Sequence, residues 1–541
     1  MPRDLETDLQ TLRMVTAYAQ NRDFARAAAL AEQTLASGFE HPLLLNVVAT
    51  WLEQQGRFED ALRLLERAVS IAPGDVGARN ALSLCLQRLD RPAEALQQVD
   101  TLLKEHADLG FAHANKGNAL MALGWLGRAR HSHLRALELE PRSFVSMAAL
   151  ASIATQRGEH EDARRWAEEA LAIVPGFPNA VLSLAAAALA GGDTVGAEQL
   201  LHPLILDTRA GQSDRARATG LLGDVLDASG RYLAAFDSYS TCNDALRQIH
   251  RQFASGTSVL NYTRALAAAM HEVDSVEWAA PALEAYSAGA RGHVFLVGFP
   301  RSGTTMLEVV LDGHPDVASS EEHELLTAGV LRFMREPINL EPLARADETQ
   351  LRALRLAYWD EVRNAGIDVA GKVFVDKHPL HTLKLPLIAR LFPQAKVLFA
   401  CRDPRDVVLS CFRRRFKMNA AMYELLTLRG AAVFYDAVMG FAEQVRPVLD
   451  LKWRVVRYES LVADLATEMR EICEFLELGW LPGMGDFGAR VQAREHATPS
   501  TAQLARGLDG STVQHWRHYE SSLQPILPVL QPWVTRFNYP D

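Results

Sequence analysis

The stretch His293-Val-Phe-Leu-Val-Gly298-Phe-Pro-Arg-Ser-Gly303-Thr-Thr305-Met-Leu-Glu-Val-Val-Leu-Asp-Gly313 decides the fold of the C-terminal half. Its first piece is a short apolar run of the kind buried in a parallel sheet. Its last piece carries Leu307, Val310 and Leu311 at helical spacing and closes at Gly313 and Pro315. The loop between them contains two glycines, two threonines and an arginine. Glycine lets backbone approach an anion, and the N–H groups that open a helix point toward it. Thr304 and Thr305 add hydroxyl donors, and Arg301 adds a charge-assisted contact. Taken alone, the same loop fits an ordinary tight turn equally well.

A second unit follows. Phe374-Val-Asp-Lys377-His-Pro379 leads into a helix that runs through Leu391, and Ala395-Lys-Val-Leu-Phe-Ala-Cys-Arg402 reads as the next strand. Asp403 suits a helix N-cap and Pro404 the first helical position. Ser410 falls seven residues after Asp403, about two turns on, along the same helix face. An arginine at the carboxyl end of a strand and a serine on the following helix can converge on one phosphate in the crevice of an α/β sheet. The loop pattern G-x-x-x-x-G-T-T is close to the nucleotide P-loop, but Thr304 stands where that motif requires lysine, which disfavours ATP hydrolysis.

The N-terminal half is periodic. Ala27, Ala61, Ala95, Ala129, Ala163 and Ala197 follow one another at 34-residue steps, and Ala235 comes after 38. Gly56, Gly124, Gly158, Gly192 and Gly230 precede five of these alanines by five residues. Pro73, Pro141 and Pro175 follow three of them by twelve. The small residue lets two helices approach, the glycine closes their turn and the proline stops the second helix. The pattern resembles the tetratricopeptide repeat and predicts about seven stacked units with a concave face. One unit departs from it, with Asp90 at the glycine position and Ala107 at the proline position. If the repeats present substrate, removing residues 1–245 is expected to impair only large acceptors.

Composition limits the remaining choices. The 541 residues hold about three domains' worth of chain, 48% hydrophobic and 23% charged, enough for a sizeable core. A formal net charge of −10 is wrong for a general nucleic-acid coat, so an anionic ligand must be met by a local basic site. Cys85, Cys242, Cys401, Cys411 and Cys473 are scattered without C-x-x-C spacing and read as buried or free thiols of a reducing compartment. The N-terminus lacks an apolar signal core, and the longest apolar stretch, Val181 to Ala190, is too short to span a bilayer. A cytoplasmic location is expected, with no nucleic-acid or membrane partner.

The two C-terminal segments resemble the signatures of sulfotransferases that use 3′-phosphoadenosine-5′-phosphosulfate (PAPS), specifically those of the tyrosylprotein sulfotransferases. The resemblance implies that Arg301, Ser302, Gly303, Thr304 and Thr305 hold the 5′-phosphosulfate, that Arg402 and Ser410 hold the 3′-phosphate, and that Lys377 matches the lysine of the family's K-x-P element. His314-Pro-Asp-Val-Ala-Ser-Ser-Glu-Glu322 resembles a stretch whose second glutamate serves as base, here Glu322. Arg457-Tyr458-Glu459 resembles an element whose tyrosine approaches the adenine side, and the region of Thr498 and Ser500 a late cofactor-closing segment. Beyond that segment Ala505 occupies a place where an arginine is expected, and Arg506 follows.

The expected architecture is therefore an all-α tetratricopeptide-repeat solenoid over residues 1–245, a helical connector and linker over 246–290, and an α/β, P-loop-like sulfotransferase domain with a mainly parallel sheet over 291–541. PAPS is the implied co-substrate, and the scheme requires no metal. Acceptors in order of expectation are a peptide tyrosine, then a glycan or small alcohol; homodimerisation is left open. Sulfonyl transfer resembles phosphoryl transfer in gathering charge on the leaving oxygen, so Lys377 supplies charge there while Arg301 holds the phosphosulfate. An unperturbed glutamate near ~4.3 is poorly matched to a phenol near ~10, so Glu322 must act late or be raised by burial. His323, His378 and His381 are rival bases. The run Arg413-Arg-Arg415-Phe-Lys417 is either a solvated face or an extension of the positive field. Trp453, Trp480, Trp516 and Trp533 read as core. Two other classes stay open at this point. One is an ATP-dependent kinase, against which the missing lysine stands. The other is a repeat scaffold with an inactive C-terminal domain, against which Arg301, Lys377, Arg402 and Ser410 stand.

Overall fold

The computed structural model describes residues 5–255, 258–278, 287–486, 488, 490 and 510–541. The chain divides into two compact units, Met1–Ala154 with Glu161–Ser183 and Thr155–His160 with Leu184–Asp541.

The first unit consists of paired helices, and the pair Pro42–Gln54 and Phe58–Ile71 shows why. Pro42 opens the first helix, Gly56 turns the chain at φ 75°, and Ala61 and Ala68 are fully buried where the helices meet. Every alanine of the period is 0% exposed, including Ala197 and Ala235 in the second unit, so a larger side chain there would force paired helices apart. Where the period lacks glycine, Arg22 and Asp90 take the left-handed turn themselves, at φ 58° and 54°. That conformation costs a residue with a Cβ about 1–2 kcal/mol, and the repeat tolerates it without losing phase.

The second unit begins with helices Thr194–Leu206, Gln212–Ala228 and Tyr232–Ile249, followed by helix Val259–Glu272. Its centre is a five-stranded sheet of β1 (Gly292–Gly298), β2 (Val317–Ser319), β3 (Val373–Lys377), β4 (Lys396–Cys401) and β5 (Lys452–Arg457), ordered β2-β3-β1-β4-β5. All four pairings are parallel. β1 alternates between two cores. Val294 and Leu296 pack with Leu307, Val310, Met469 and Ile472. His293 and Phe295 face the opposite layer of Tyr358 and Phe392. Asp403 caps helix Pro404–Arg413 by accepting from the Arg405 N–H, with Pro404 at the first turn, as the sequence indicates.

All five cysteines are free and buried. Among the described residues no helix is long and apolar enough to cross a membrane.

Candidate active site

β1 lies between β3 and β4, so residues leaving the carboxyl ends of these three strands share one crevice. Lys377 ends β3 beside Leu296 of β1, and Arg402 follows the last residue of β4. The loop after β1 joins these two sides. Arg301 adopts a left-handed φ of 71°, and its Nε donates to Ser410 Oγ at 3.0 Å, linking the loop to helix Pro404–Arg413 across 109 residues of sequence. Arg402 donates to the Arg301 carbonyl at 3.4 Å and to the Thr512 carbonyl at 2.5 Å, and its guanidinium lies 4.5 Å over the Tyr458 ring. The Tyr458 hydroxyl lies 3.1 Å from Thr512 Oγ1. Gly303 turns at φ 96°, and a Cβ there would lie 2.7 Å from the Tyr458 ring, so the loop and the ring fit only with glycine. Ser302, Thr304 and Thr305 are buried where the loop enters helix Thr304–Leu311.

Of these groups Arg301, Arg402, Ser410 and Thr512 line a cavity of about 130 Å³, whereas Ser302 to Thr305 and Tyr458 do not; its charged lining is four arginines, Arg301, Arg402, Arg413 and Arg414, against Asp227 and Asp406. The arginine excess of about two charges matches a phosphate monoester, which carries about −1.5 to −2 at neutral pH. Arg402 Nε is buried without a hydrogen-bond partner. Burial, with Arg414 and Arg402 nearby, pushes Arg301 down to about 9. A guanidinium keeps its charge at neutral pH, so the pocket concentrates cations that an anion would relieve. On these grounds the residues present fit a phosphate group.

The other side of the crevice centres on Lys377. Its side chain is completely buried, and Nζ lies 3.1 Å from Glu308 Oε2 and 2.5 Å from Glu322 Oε1. Glu308 is also fully buried, whereas the Glu322 side chain is 35% exposed. The Ser320 hydroxyl accepts from the Lys377 N–H at 2.8 Å, and Glu308 accepts from the Glu321 N–H at 3.1 Å. The β2-to-helix connection, with Glu321 and Glu322 at positive φ, therefore brings Glu322 to the lysine.

Residues 293–482 match the sulfotransferase family, and residues 12–76, 52–122 and 114–178 match tetratricopeptide repeats. The chain carries a sulfotransferase-family domain behind tetratricopeptide repeats. The sulfotransferase domain is similar to protein-tyrosine sulfotransferase of Drosophila melanogaster, with 31% identity over 195 residues, 35% of this chain and 38% of that protein. Protein-tyrosine sulfotransferase 1 of Danio rerio is 29% identical over 261 residues, 46% of this chain and 72% of the relative. An uncharacterized protein of Aquifex aeolicus is 26% identical over 366 residues, 63% of this chain and 45% of that protein. The chain thus spans less than half the length of the Aquifex and Drosophila relatives.

In the sulfotransferase domain His381 and His323 make contacts of their own, whereas His378 lies near Glu322 and Lys377 with its Nδ1 buried and unpartnered among the described residues. His381 is completely buried, with Nε2 3.2 Å from Glu324 and Nδ1 3.5 Å from Asp376, and burial pushes it down to about 3. His378 stacks on it at 4.7 Å and is also lowered by burial. His323 turns its Nδ1 to the Ser320 carbonyl. Ser500, with Thr498, Ala505 and Arg506, lies outside the described residues. Trp516 and Trp533 are buried, while Trp453 and Trp480 are half-buried. Glu308 escaped the sequence reading, although a lone carboxylate inside the otherwise apolar run Met306-Leu-Glu-Val-Val-Leu311 was a visible anomaly.

A buried carboxyl precedes the lysine on β3 and faces the Tyr358 layer. Asp376 accepts from the Tyr358 hydroxyl at 2.7 Å, and burial pushes it up to about 7. Because its folded value exceeds the ordinary 3.8, its contribution to stability is fully present below about 3.8 and is lost as pH rises through about 7. In thermal melts from about pH 4 to 8, the wild type should lose Tm relative to Asp376→Asn. Parallel curves would show that another group titrates.

Proposed function

We propose that the protein moves a sulfonyl group from PAPS to an acceptor hydroxyl, with a protein tyrosine as the first acceptor and a glycan or small alcohol behind it. The observation supporting this most strongly is the Arg301–Ser410 contact, which draws two motifs remote in sequence around one arginine-rich cavity. The similarity to protein-tyrosine sulfotransferases of Drosophila melanogaster and Danio rerio favours tyrosine. In this reading Arg402, Ser410 and Arg414 hold the 3′-phosphate, and Arg301 to Thr305 hold the phosphosulfate. Tyr458 buttresses Gly303 and Arg402. PAPS, when bound, supplies an activated sulfonyl group.

Lys377 then provides charge at the leaving oxygen, and Glu322 accepts the proton of the acceptor hydroxyl. The two roles are coupled through their hydrogen bond. Two carboxylates hold the lysine, and a proton arriving on Glu322 removes one of them, leaving Lys377 with more charge for the developing anion. This arrangement suits a weak base that acts late. The repeats, in turn, are proposed to dock the acceptor or its carrier protein.

Adenosine 3′,5′-bisphosphate should bind the full chain in titration calorimetry, and Arg402→Ala should weaken that binding about 10- to 100-fold, the worth of charged hydrogen bonds lost. Labelled PAPS should pass its label to a member of a panel of peptides, glycans and phenols. A folded protein that neither binds the bisphosphate nor transfers label, while binding ATP–Mg²⁺, would replace this reading with a kinase.

A further inference from the structure

Helix Gln212–Ala228, within the second compact unit, places an acidic side chain in the wall of the arginine-rich cavity. Asp227 Oδ2 lies 2.6 Å from Arg413 Nη2, and Asp227 Oδ1 accepts from His515 Nε2 at 2.9 Å and from the Tyr519 hydroxyl. Arg413, His515 and Asp227 all line the cavity. The next turn of the same helix makes a parallel contact that does not reach it. Asp224 pairs with Arg415 and accepts from the Tyr239 hydroxyl at 3.0 Å, and neither Asp224 nor Arg415 lines the cavity.

We propose that Asp227 is a positioning residue of the nucleotide site: it fixes Arg413 and His515 at the cavity wall, so that the last repeat forms part of the phosphate-binding apparatus. The inference rests on the sulfotransferase reading above and extends it to a residue outside the family's matched segment. The physical basis is the fork of donors converging on one carboxylate. Arginine has a long side chain with substantial rotamer freedom, and holding it costs entropy each time a ligand binds. A carboxylate that already fixes the guanidinium removes that cost in advance. Burial would raise Asp227, but His515, Arg413 and Tyr519 hold it down at about 2, so it is ionised throughout the physiological range.

The test uses the full chain, adenosine 3′,5′-bisphosphate as probe, calorimetry for affinity and thermal melts for folding. Asp227→Asn should weaken affinity about tenfold and raise the donor KM by a similar factor, with a much smaller change in kcat. Asp227→Glu, which restores the charge, should recover most of the affinity. Asp224→Asn should lower Tm with affinity unchanged. In a background carrying both Arg413→Gln and His515→Asn, the Asp227→Asn step should shrink below about twofold, because its intermediaries are gone. Wild-type affinity in a folded Asp227→Asn would overturn the proposal. So would an equal loss in Asp224→Asn, or an undiminished step in the double background. If Asp227→Asn fails to fold, Asp227→Glu decides, since affinity no better than that of the double background would overturn the proposal. A folded wild type that does not bind the bisphosphate at all would instead remove the sulfotransferase reading beneath it.

Discussion

Lys377→Ala is expected to lower kcat about 100- to 1,000-fold, the scale of losing one preorganised charge donor, with a far smaller change in affinity for adenosine 3′,5′-bisphosphate. The geometry complicates the experiment in a foreseeable way. Lys377 and Glu308 are both fully buried, so removing the lysine strands a carboxylate and should cost about 3–5 kcal/mol of folding stability. A drop in activity alone would therefore be ambiguous. Lys377→Met combined with Glu308→Gln removes both charges and should recover most of the lost Tm without recovering turnover. Single-turnover rates on the folded fraction then separate the chemical role from the structural one. Near-normal turnover in the paired variant would remove Lys377 from the mechanism.

The second large effect concerns truncation. Removing residues 1–245 is expected to abolish binding of adenosine 3′,5′-bisphosphate, whereas removing residues 1–190 should preserve it. The first cut takes away Asp224 and Asp227 together with the aromatic and polar contacts of helix Tyr232–Ile249. Phe236 stacks on Phe412 at 5.3 Å, Tyr232 on His518 at 4.4 Å, and Asn243 donates to the Phe412 carbonyl at 2.9 Å. Phe412 and Arg413 lie on the helix that carries Ser410, so the cut exposes the back of the cavity wall. The expectation that such a deletion impairs only large acceptors holds if the repeats do no more than present substrate; the contacts of the last pair favour a supporting role as well. A fragment of residues 246–541 that binds the bisphosphate like the full chain would refute this.

Local pattern made much of this legible. Fixed-phase alanines announced the helix pairs because a contact with no room for a larger side chain leaves its mark at each repeat. The apolar run before Gly298 and the Asp403–Pro404 cap placed β1 and helix Pro404–Arg413 because both are decided by neighbours in sequence. The Lys377–Glu308 pair and the Asp227 fork were invisible for the opposite reason, since they join residues whose proximity only the assembled sheet and the seated repeat create. The arginine run shows the difference most clearly. Arg413 and Arg415 read from sequence as either a solvated face or a widened positive field. They prove to be mostly covered and tied to Asp227 and Asp224. No periodicity in Arg413-Arg-Arg415 encodes a partner nearly two hundred positions earlier.

The burial of every cysteine has a practical consequence for watching this protein at work. Burial pushes Cys85, Cys401 and Cys411 up to about 12 and Cys473 to about 11, and raises Cys242 as well, so reactive thiolate is scarce at neutral pH. A maleimide dye should leave the folded native chain almost unlabelled. One cysteine introduced at exposed Lys417, three residues beyond the cavity-lining Arg414, therefore offers a single attachment point, and fluorescence there could follow nucleotide arrival in real time without first stripping the chain of its own sulfur.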